Sequence, residues 1–482
     1  MTLIPFPRLA PAAGLAMLLA GCTSLAPPPA TPDPALPAHF DAAPSEPAGP
    51  AVGDDWQAFF TDARLQARIR QALAFNRDLR GAMLQVAEAR AAYGIRRGEP
   101  LPAVGLGAGG MRERVPADLS LTRHTSYGTQ YQAGLGIASW ELDFWGRMAS
   151  LEEAALQQYF ASVEVRQAAT LSLIAQVAQT HLLLQELDER LRLARRTVAS
   201  RAESRRIVAR RVEVGAASRL SLTQVDTLLN QAEVLAAQLE QARAQQAHAM
   251  RLLTGETEPA ASDTPEAPLQ LGSAPRAGLP SELLLRRPDL LAAEHRLRAA
   301  QAQIGAARAA FFPSISLTAL AGTASTDLSR LLGASAGGWA FVPSLTLPLF
   351  DGQRRRNNLT LAEARRDEAV AAYEKAVQNA FREVSDALST RHWLGEQLAL
   401  ARDAVRIQRE RTRLSERRLD VGATTSLELL DAQRDLLAAE QQEVQLRRAL
   451  ASSEVALYAA LGGGVPRQDT AGPAAPRDSR GE

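Results

Sequence analysis

Residues 129–139 read TQYQAGLGIAS, and this stretch decides the fold class. Tyr131, Ala133, Leu135 and Ile137 alternate with Gln130, Gln132, Gly134 and Gly136, so an extended chain places an apolar set on one face and small or polar residues on the other. Three more runs share this period. Ile315, Leu317, Ala319 and Ala321 alternate with Ser314, Ser316 and Thr318; Trp339, Phe341, Pro343, Leu345, Leu347 and Leu349 alternate with Gly338, Ala340, Ser344 and Thr346; the run 103–112 is weaker. Each is about the 9 to 11 residues that cross a bilayer as a tilted strand. A soluble half-buried sheet gives the same alternation, so the surrounding sequence must decide between the two.

The segments beyond the strands are not globular. Residues 148–213 contain no proline or glycine and are rich in Ala, Leu, Gln, Glu and Arg. At about 1.5 Å per residue they predict a helix of roughly 100 Å, a length for which a globular core has no use. The stretches 218–253, 354–419 and 426–460 continue the pattern, with Leu222, Val225, Leu228 and Leu229 at helical spacing, and read as coiled-coil-like rods. Between the first two, Gly215 predicts a left-handed C-cap and Ser218 an N-cap, so the chain turns back there and again at Gly422.

The sequence also repeats itself. Asn76-Arg77-Asp78-Leu79 aligns with Arg287-Pro288-Asp289-Leu290, Tyr93-Gly94 with Ile304-Gly305, and Leu101-Pro102 with Phe312-Pro313, at an offset of 211 (Asp78 to Asp289). Arg210 to Ala216 matches Arg417 to Ala423 at an offset of 207 (Gly215 to Gly422). Each half holds a helix, two strands and a helical rod. The predicted boundaries are a signal segment 1–21, a Pro- and Ala-rich tether 22–52, repeats 53–255 and 279–464 joined by a Pro-rich linker 256–278, and a disordered tail 465–482.

Composition excludes other classes. The 482 residues are 46% hydrophobic and 22% charged, and 54 Lys+Arg against 53 Asp+Glu give a net charge of +1, without the positive field that nucleic-acid binding uses. A single cysteine rules out disulfide frameworks and Cys-rich zinc sites, and the six scattered histidines offer no metal-ligand spacing. Neither a metal nor a diffusible cofactor is expected. Gly105-x-Gly107-x-Gly109-Gly110 lacks the helix that a phosphate loop opens, and Glu152, Glu153 and Asp226 read as solvated helix faces.

Arg8, an apolar stretch and small residues precede Cys22 in the manner of an export signal, and no later stretch of 18 apolar residues predicts a spanning helix. Leu19-Ala20-Gly21-Cys22 resembles the bacterial lipobox, which implies a diacylglycerol on the Cys22 thiol as the only covalent group; Thr23, not Asp, suits export to the outer membrane. An ordinary signal peptide or a buried thiol is the plainer alternative. With a lipobox and rods beside them, the four strands read as part of a membrane barrel. Four cannot close one, and open edges are forbidden in lipid, so protomers must pool strands: eight in a dimer, or twelve in a trimer with a wider lumen, towards which the reading leans.

These features resemble the TolC-like outer membrane factor family, and within it the lipoprotein efflux group typified by NodT. The resemblance spans residues 54–464. It rests on Trp56 with Phe59, Phe60 and Asp62; on Asn76 to Leu79; on Gly278-Leu279-Pro280-Ser281 followed by Leu284 and Arg286 to Leu290; on Ile304-Gly305 to Phe312-Pro313; and on Leu429 to Gln433, ending at Ala460 to Gly464. It implies a mainly α fold with a small β portion: a homotrimeric, 12-stranded barrel continued by a periplasmic coiled-coil α-barrel. It implies a passive duct, not an enzyme, exporting small molecules or drugs through a periplasmic adaptor and a proton-driven inner-membrane pump. The family's Arg-x-x-x-Gly elements fall on Arg211 to Gly215 and Arg418 to Gly422, so Arg211, Val214, Gly215, Ala216, Arg418, Val421, Gly422 and Ala423 are the expected adaptor contacts. The family's acidic constriction falls on Glu428 and Asp431, with Arg211, Glu213, Arg418 and Asp420 expected to form ion pairs that hold the tip shut. Ser221 stands where the first hairpin would carry the equivalent acid. Rival readings are the channel of a one-step protein secretion system, a non-conducting lipid-anchored scaffold, and a lipoprotein hydrolase, which lacks a nucleophile constellation.

Overall fold

The computed structural model describes residues 25–28, 31–32, 37, 40, 56–120, 123–255 and 286–463. Cys22 with the signal segment, most of the tether, the 256–278 linker, Gly464 and the tail lie outside the described residues. The elements are α1 Trp56–Phe59, α2 Ala63–Phe75, α3 Arg77–Gly98, β1 Val104–Val115, β2 Ser126–Leu142, α4 Arg147–Glu213, α5 Arg219–Thr254, α6 Pro288–Ala309, β3 Ser314–Ser325, β4 Gly337–Thr346, α7 Arg354–Asp420 and α8 Ser426–Ala460. The repeat is visible in their lengths. Helices α3 and α6 have 22 residues each, α4 and α7 have 67, and β1 and β3 have 12. The halves part company at β2, with 17 residues, and β4, with 10, which is where the offset changes from 211 to 207. No described helix is long and apolar enough to cross a membrane.

The chain folds into two compact units, and each draws on both repeats. The first, with Gln85–Val163 and Ala292–Glu374, holds the sheet, in which β1, β2, β3 and β4 pair in that order, all antiparallel. Its register explains the alternation. Val104, Ile137, Ala319 and Phe341 form one row across the strands, and Leu106, Leu135, Ala321 and Trp339 the next, so one face is continuously apolar. The intervening row on the other face is Gly105, Gly136, Leu320 and Ala340, followed by four glycines, Gly107, Gly134, Gly322 and Gly338. A Cβ on Gly134 would stand 2.6 Å from the Ala321 carbonyl oxygen and 2.8 Å from the Gly322 Cα, so β2 and β3 approach too closely there for any side chain.

A β-bulge separates Ile137 from Trp140, and beyond it Trp140 lies opposite Leu317 and Leu142 opposite Ile315. The extra residue reverses the parity of β2, carrying Trp140 and Leu142 onto the apolar face. Strand β4 stops at Thr346, short of the predicted Leu347 and Leu349, because Pro348 has no N–H for the ladder. Two indoles pin the junctions between helix and strand: Trp140 Nε1 donates to the Pro100 carbonyl and Trp145 Nε1 to that of Pro313, each at 2.8 Å, and Trp145 stacks on Phe312. Among the described residues, β1 pairs only with β2 and β4 only with β3, leaving two open edges, and every residue of β4 is exposed.

The second unit contains the main core. Leu65, Ile69 and Ala72 make the buried stripe of α2, and with Trp56, Phe59 and Phe60 they pack on Leu171, Ile174, Val177 and Ala178 of α4 and on Val455 and Tyr458 of α8. Phe59 stacks on Tyr458 at 4.5 Å between centroids. Asp62 caps α2 by accepting from the amides of Arg64 and Leu65 at 2.8 and 2.9 Å. The repeated motif does different work in each copy. Asn76 accepts from the Leu79 amide at 2.9 Å, capping α3, and donates to the Leu253 carbonyl. Its counterpart Arg287 pairs with Asp289 at 2.7 Å and Glu383 at 2.8 Å and donates to the Ala460 carbonyl at 3.0 Å. Burial opposes that charge, and the two carboxylates more than offset it, so the guanidinium binds its proton more tightly than usual.

His181 is fully buried in the same unit, its Nδ1 accepting from Arg68 and its Nε2 lying 3.2 Å from the Gln185 amide. Burial, and after it the Arg68 guanidinium, pulls the imidazole down to about 4. The unfolded chain, with an ordinary histidine near ~6.5, therefore binds a proton that the folded chain refuses between those two values. Stability falls as the pH drops through that window and levels off below it, by up to about 3 kcal/mol per protomer. The heat-dissociation midpoint followed from pH 7 to pH 4 should fall more steeply for the parent than for His181→Gln. Equal slopes would show that His181 is not the group responsible.

Candidate functional site

The two hairpin tips have the same backbone. At the end of α4, Gly215 takes φ +76°, the Ala216 amide donates to the Arg211 carbonyl at 2.7 Å and the Gly215 amide to that of Val212 at 3.0 Å. At the end of α7, Gly422 takes φ +69°, with Ala423 to Arg418 at 2.8 Å and Gly422 to Leu419 at 3.0 Å. Both are Schellman caps, which accounts for the Arg-x-x-x-Gly spacing: the arginine carbonyl receives the sixth residue's amide and the glycine supplies the left-handed step. No atom lies within 4 Å of a Cβ added at either glycine, so the requirement is conformational and not one of space. Val214 and Val421 stand exposed at the tips.

Side chains distinguish the two. In the second hairpin Arg418 pairs with Glu428 at 3.2 Å and also donates to the Ala423 carbonyl, while Thr424 donates to the other Glu428 oxygen. Arg418, Thr424 and Glu428 thus close the turn side chain to side chain. In the first hairpin Ser221 replaces the acid, and Ser218 accepts from the Ser221 amide at 3.1 Å as the N-cap of α5. Asp431, one helical turn beyond Glu428, pairs with Arg434 at 3.3 Å.

Part of the expected ion pairing is not formed. Glu213 pairs with Arg210 at 2.8 Å, and neither Arg211 nor Asp420 forms an ion pair among the described residues. Arg211 and Glu213, like Arg418 and Asp420, are two positions apart on a helix and point away from each other, whereas Arg210 is three positions from Glu213. Arg418 instead reaches across the turn. Thr424, Arg210 and Arg434 were therefore missed from sequence; the spacing of three residues was the signal for the last two.

The N-terminal end of the described chain has its own geometry. The Leu25 carbonyl accepts from Arg308 at 3.3 Å, and a Cβ on Gly305 would stand 2.8 Å from the Ala26 nitrogen and 2.7 Å from Ser150 Oγ. The repeat-related Gly94 has nothing within 4 Å. The tether is thus seated on α6 three residues after Cys22, at a position where only glycine leaves room for it. No group of three or more metal-ligating side chains occurs among the described residues.

The family model described as Outer membrane efflux protein matches residues 68–256 and 279–463. The chain is 45% identical over 413 residues, 85% of each chain, to the toluene efflux pump outer membrane protein TtgF of Pseudomonas putida. It is 41% identical over 465 residues to the outer membrane protein OprJ of Pseudomonas aeruginosa, covering 94% of this chain and 96% of that one. The crystal structure of the open state of the MtrE outer membrane channel of Neisseria gonorrhoeae has a TM-score of 0.83 and 37% identity, covering 92% of this chain and 99% of that one.

Proposed function

Since the chain belongs to the outer membrane efflux protein family, we propose that within the duct Cys22 carries the lipid, the two hairpin tips receive the adaptor, and Glu428 with Asp431 forms the periplasmic constriction. The protein is the outer membrane component of a tripartite efflux system, a passive trimeric channel and not an enzyme, partnered by a periplasmic adaptor and an inner-membrane pump. Three protomers pool their strands into one barrel, continued by an α-helical barrel. The observation that carries the function is the four-stranded sheet with one apolar face, one glycine-lined face and two open edges. Such a sheet is admissible in lipid only as a sector of a closed ring, with the small residues lining water. TtgF is named for toluene efflux, and we infer a small apolar cargo here, chosen by a proton-driven pump and not by the duct.

At the tips, the small residues Gly215, Ala216, Gly422 and Ala423 permit close backbone approach, and the exposed Val214 and Val421 add apolar contact for an adaptor. At the constriction, three copies each of Glu428 and Asp431 gather like charges on the axis and favour cations. Their pairs with Arg418 and Arg434 are half exposed, with side-chain exposures of 41% to 57% for Glu428 and Arg418. Exposed pairs are each worth about 0.2–1 kcal/mol, so six of them make a latch of a few kcal/mol, which a docking adaptor can release.

In planar lipid bilayers, Glu428→Gln with Asp431→Asn should raise the open probability at least about fivefold and lower cation selectivity, since all six pairs, together worth at least about 1 kcal/mol, are lost; unchanged conductance and selectivity would remove these residues from the gate. Gly215→Val with Gly422→Val forces a left-handed step costing about 1–2 kcal/mol at each tip. Trimers should still reach the outer membrane while cross-linking to the adaptor drops and cells accumulate dye, and normal dye efflux would count against the tips as the docking surface. Mass spectrometry of the mature N-terminus should find an acylated Cys22 in the parent and none in Cys22→Ser; a parent chain without lipid refutes the anchor.

A further inference from the structure

Near Asp431 lies a buried cation that no carboxylate among the described residues receives. Arg201, on α4, is only 2% exposed. Its Nη2 donates to the Leu430 carbonyl at 3.0 Å, and its Nη1 has no acceptor among the described residues. Burial, and after it Arg434, works against the guanidinium's charge, while Asp431 supports it. Asp431 follows Leu430 directly in α8, yet its carboxylate pairs with Arg434, whose side chain is 57% exposed. The arrangement is unbalanced. An unmade bond to a buried charge is destabilising and an exposed ion pair contributes little, while drawing a carboxylate inward costs desolvation, so Asp431, whose charge already acts on Arg201, has two alternative seats. That is the property a two-state element needs.

We propose that Arg201 is the second seat of Asp431 and a positioning residue of the gate: in the arrangement described Asp431 rests on Arg434, and in the open channel it turns inward onto Nη1 of Arg201. This rests on the reading of Asp431 as a constriction residue. Moving to Arg201 takes the carboxylate from a solvent-facing partner to one inside the protein wall, which clears the axis and withdraws its negative charge. Leu430 stays bonded to Nη2 throughout, so the guanidinium fork holds both ends of the exchange.

The test is single-channel recording of the trimer in planar lipid bilayers, with heat dissociation as a control. Arg201→Met should lower the open probability about tenfold, the worth of a charge-assisted bond made only in the open state, and keep cation selectivity high. Its trimers should be at least as heat-stable as the parent's, because replacing an unpaired buried charge with an apolar side chain does not destabilise the resting state. Arg434→Met should act in the opposite sense and favour opening. In an Asp431→Asn background, Arg201→Met should have no further effect. If Asp431→Asn alters conductance but Arg201→Met does not, the second seat is refuted and the constriction stands. If Asp431→Asn is silent, the constriction reading fails and takes the second seat with it. An Arg201→Met effect that persists without the Asp431 carboxylate, or that comes with loss of trimer stability, also overturns the proposal.

Discussion

Backbone groups cannot be left unpaired in hydrocarbon, where each costs several kcal/mol, and the architecture of this protein follows from that constraint. Strands β1 and β4 present open edges of 12 and 10 residues, far more than side-chain contacts within one sheet can offset. The protomer is therefore incomplete as a membrane protein, and its β portion is stable only when β4 of one copy finds β1 of the next. Trimerisation is thus part of the fold itself. The exposure of every β4 residue in the isolated chain is the same fact seen from the side chains: one face awaits lipid and the other water.

The sheet's two faces show how a side-chain pattern of period two serves two solvents. Leu106, Leu135, Ala321 and Trp339 make a lipid-facing row, and the adjacent row of Gly107, Gly134, Gly322 and Gly338 has no side chains at all. A glycine row keeps the lumen wide and allows β2 and β3 to close to a spacing at which a Cβ would collide. The bulge after Ile137 then returns Trp140 to the lipid side, where its indole N–H reaches the Pro100 carbonyl. An aromatic ring with one polar atom suits the boundary between hydrocarbon and water.

Much of this could be read from the sequence, for identifiable reasons. Helices α4 and α7 are long because nothing in them breaks a helix, and their turns fall at Gly215 and Gly422 because a left-handed cap admits little else. The strands were visible where alternation was strict and lost where it was not: the bulge at Ile137 to Trp140 breaks the period, so the predicted run ended at Ser139 while β2 continues to Leu142. Pairings set by distant folding had no local signal. Arg201 meets Leu430 and Arg287 meets Glu383 across gaps that no periodicity reports. Of the ion pairs expected among Arg211, Glu213, Arg418 and Asp420, none joins two of these residues within the described chain: Glu213 turns to Arg210, three positions away, and Arg418 to Glu428.

The core and the tips of the molecule are stabilised by different means. Stability is concentrated where Trp56, Phe60, Leu65, Ile174 and Tyr458 exclude water, whereas the tips depend on two Schellman caps and exposed ion pairs. Local opening is drawn from such low-stability regions, so the tip can change state while the core remains closed. Duplication then permits specialisation. Both hairpins share a backbone, but Ser221 and Gln224 in the first stand where Glu428 and Asp431 stand in the second. The second hairpin ties its turn to the following helix through Arg418 and Glu428, whereas the carboxylate nearest the first tip, Glu213, pairs within its own helix with Arg210. A duplicated tip can thus keep one cap geometry while its two copies place their carboxylates differently.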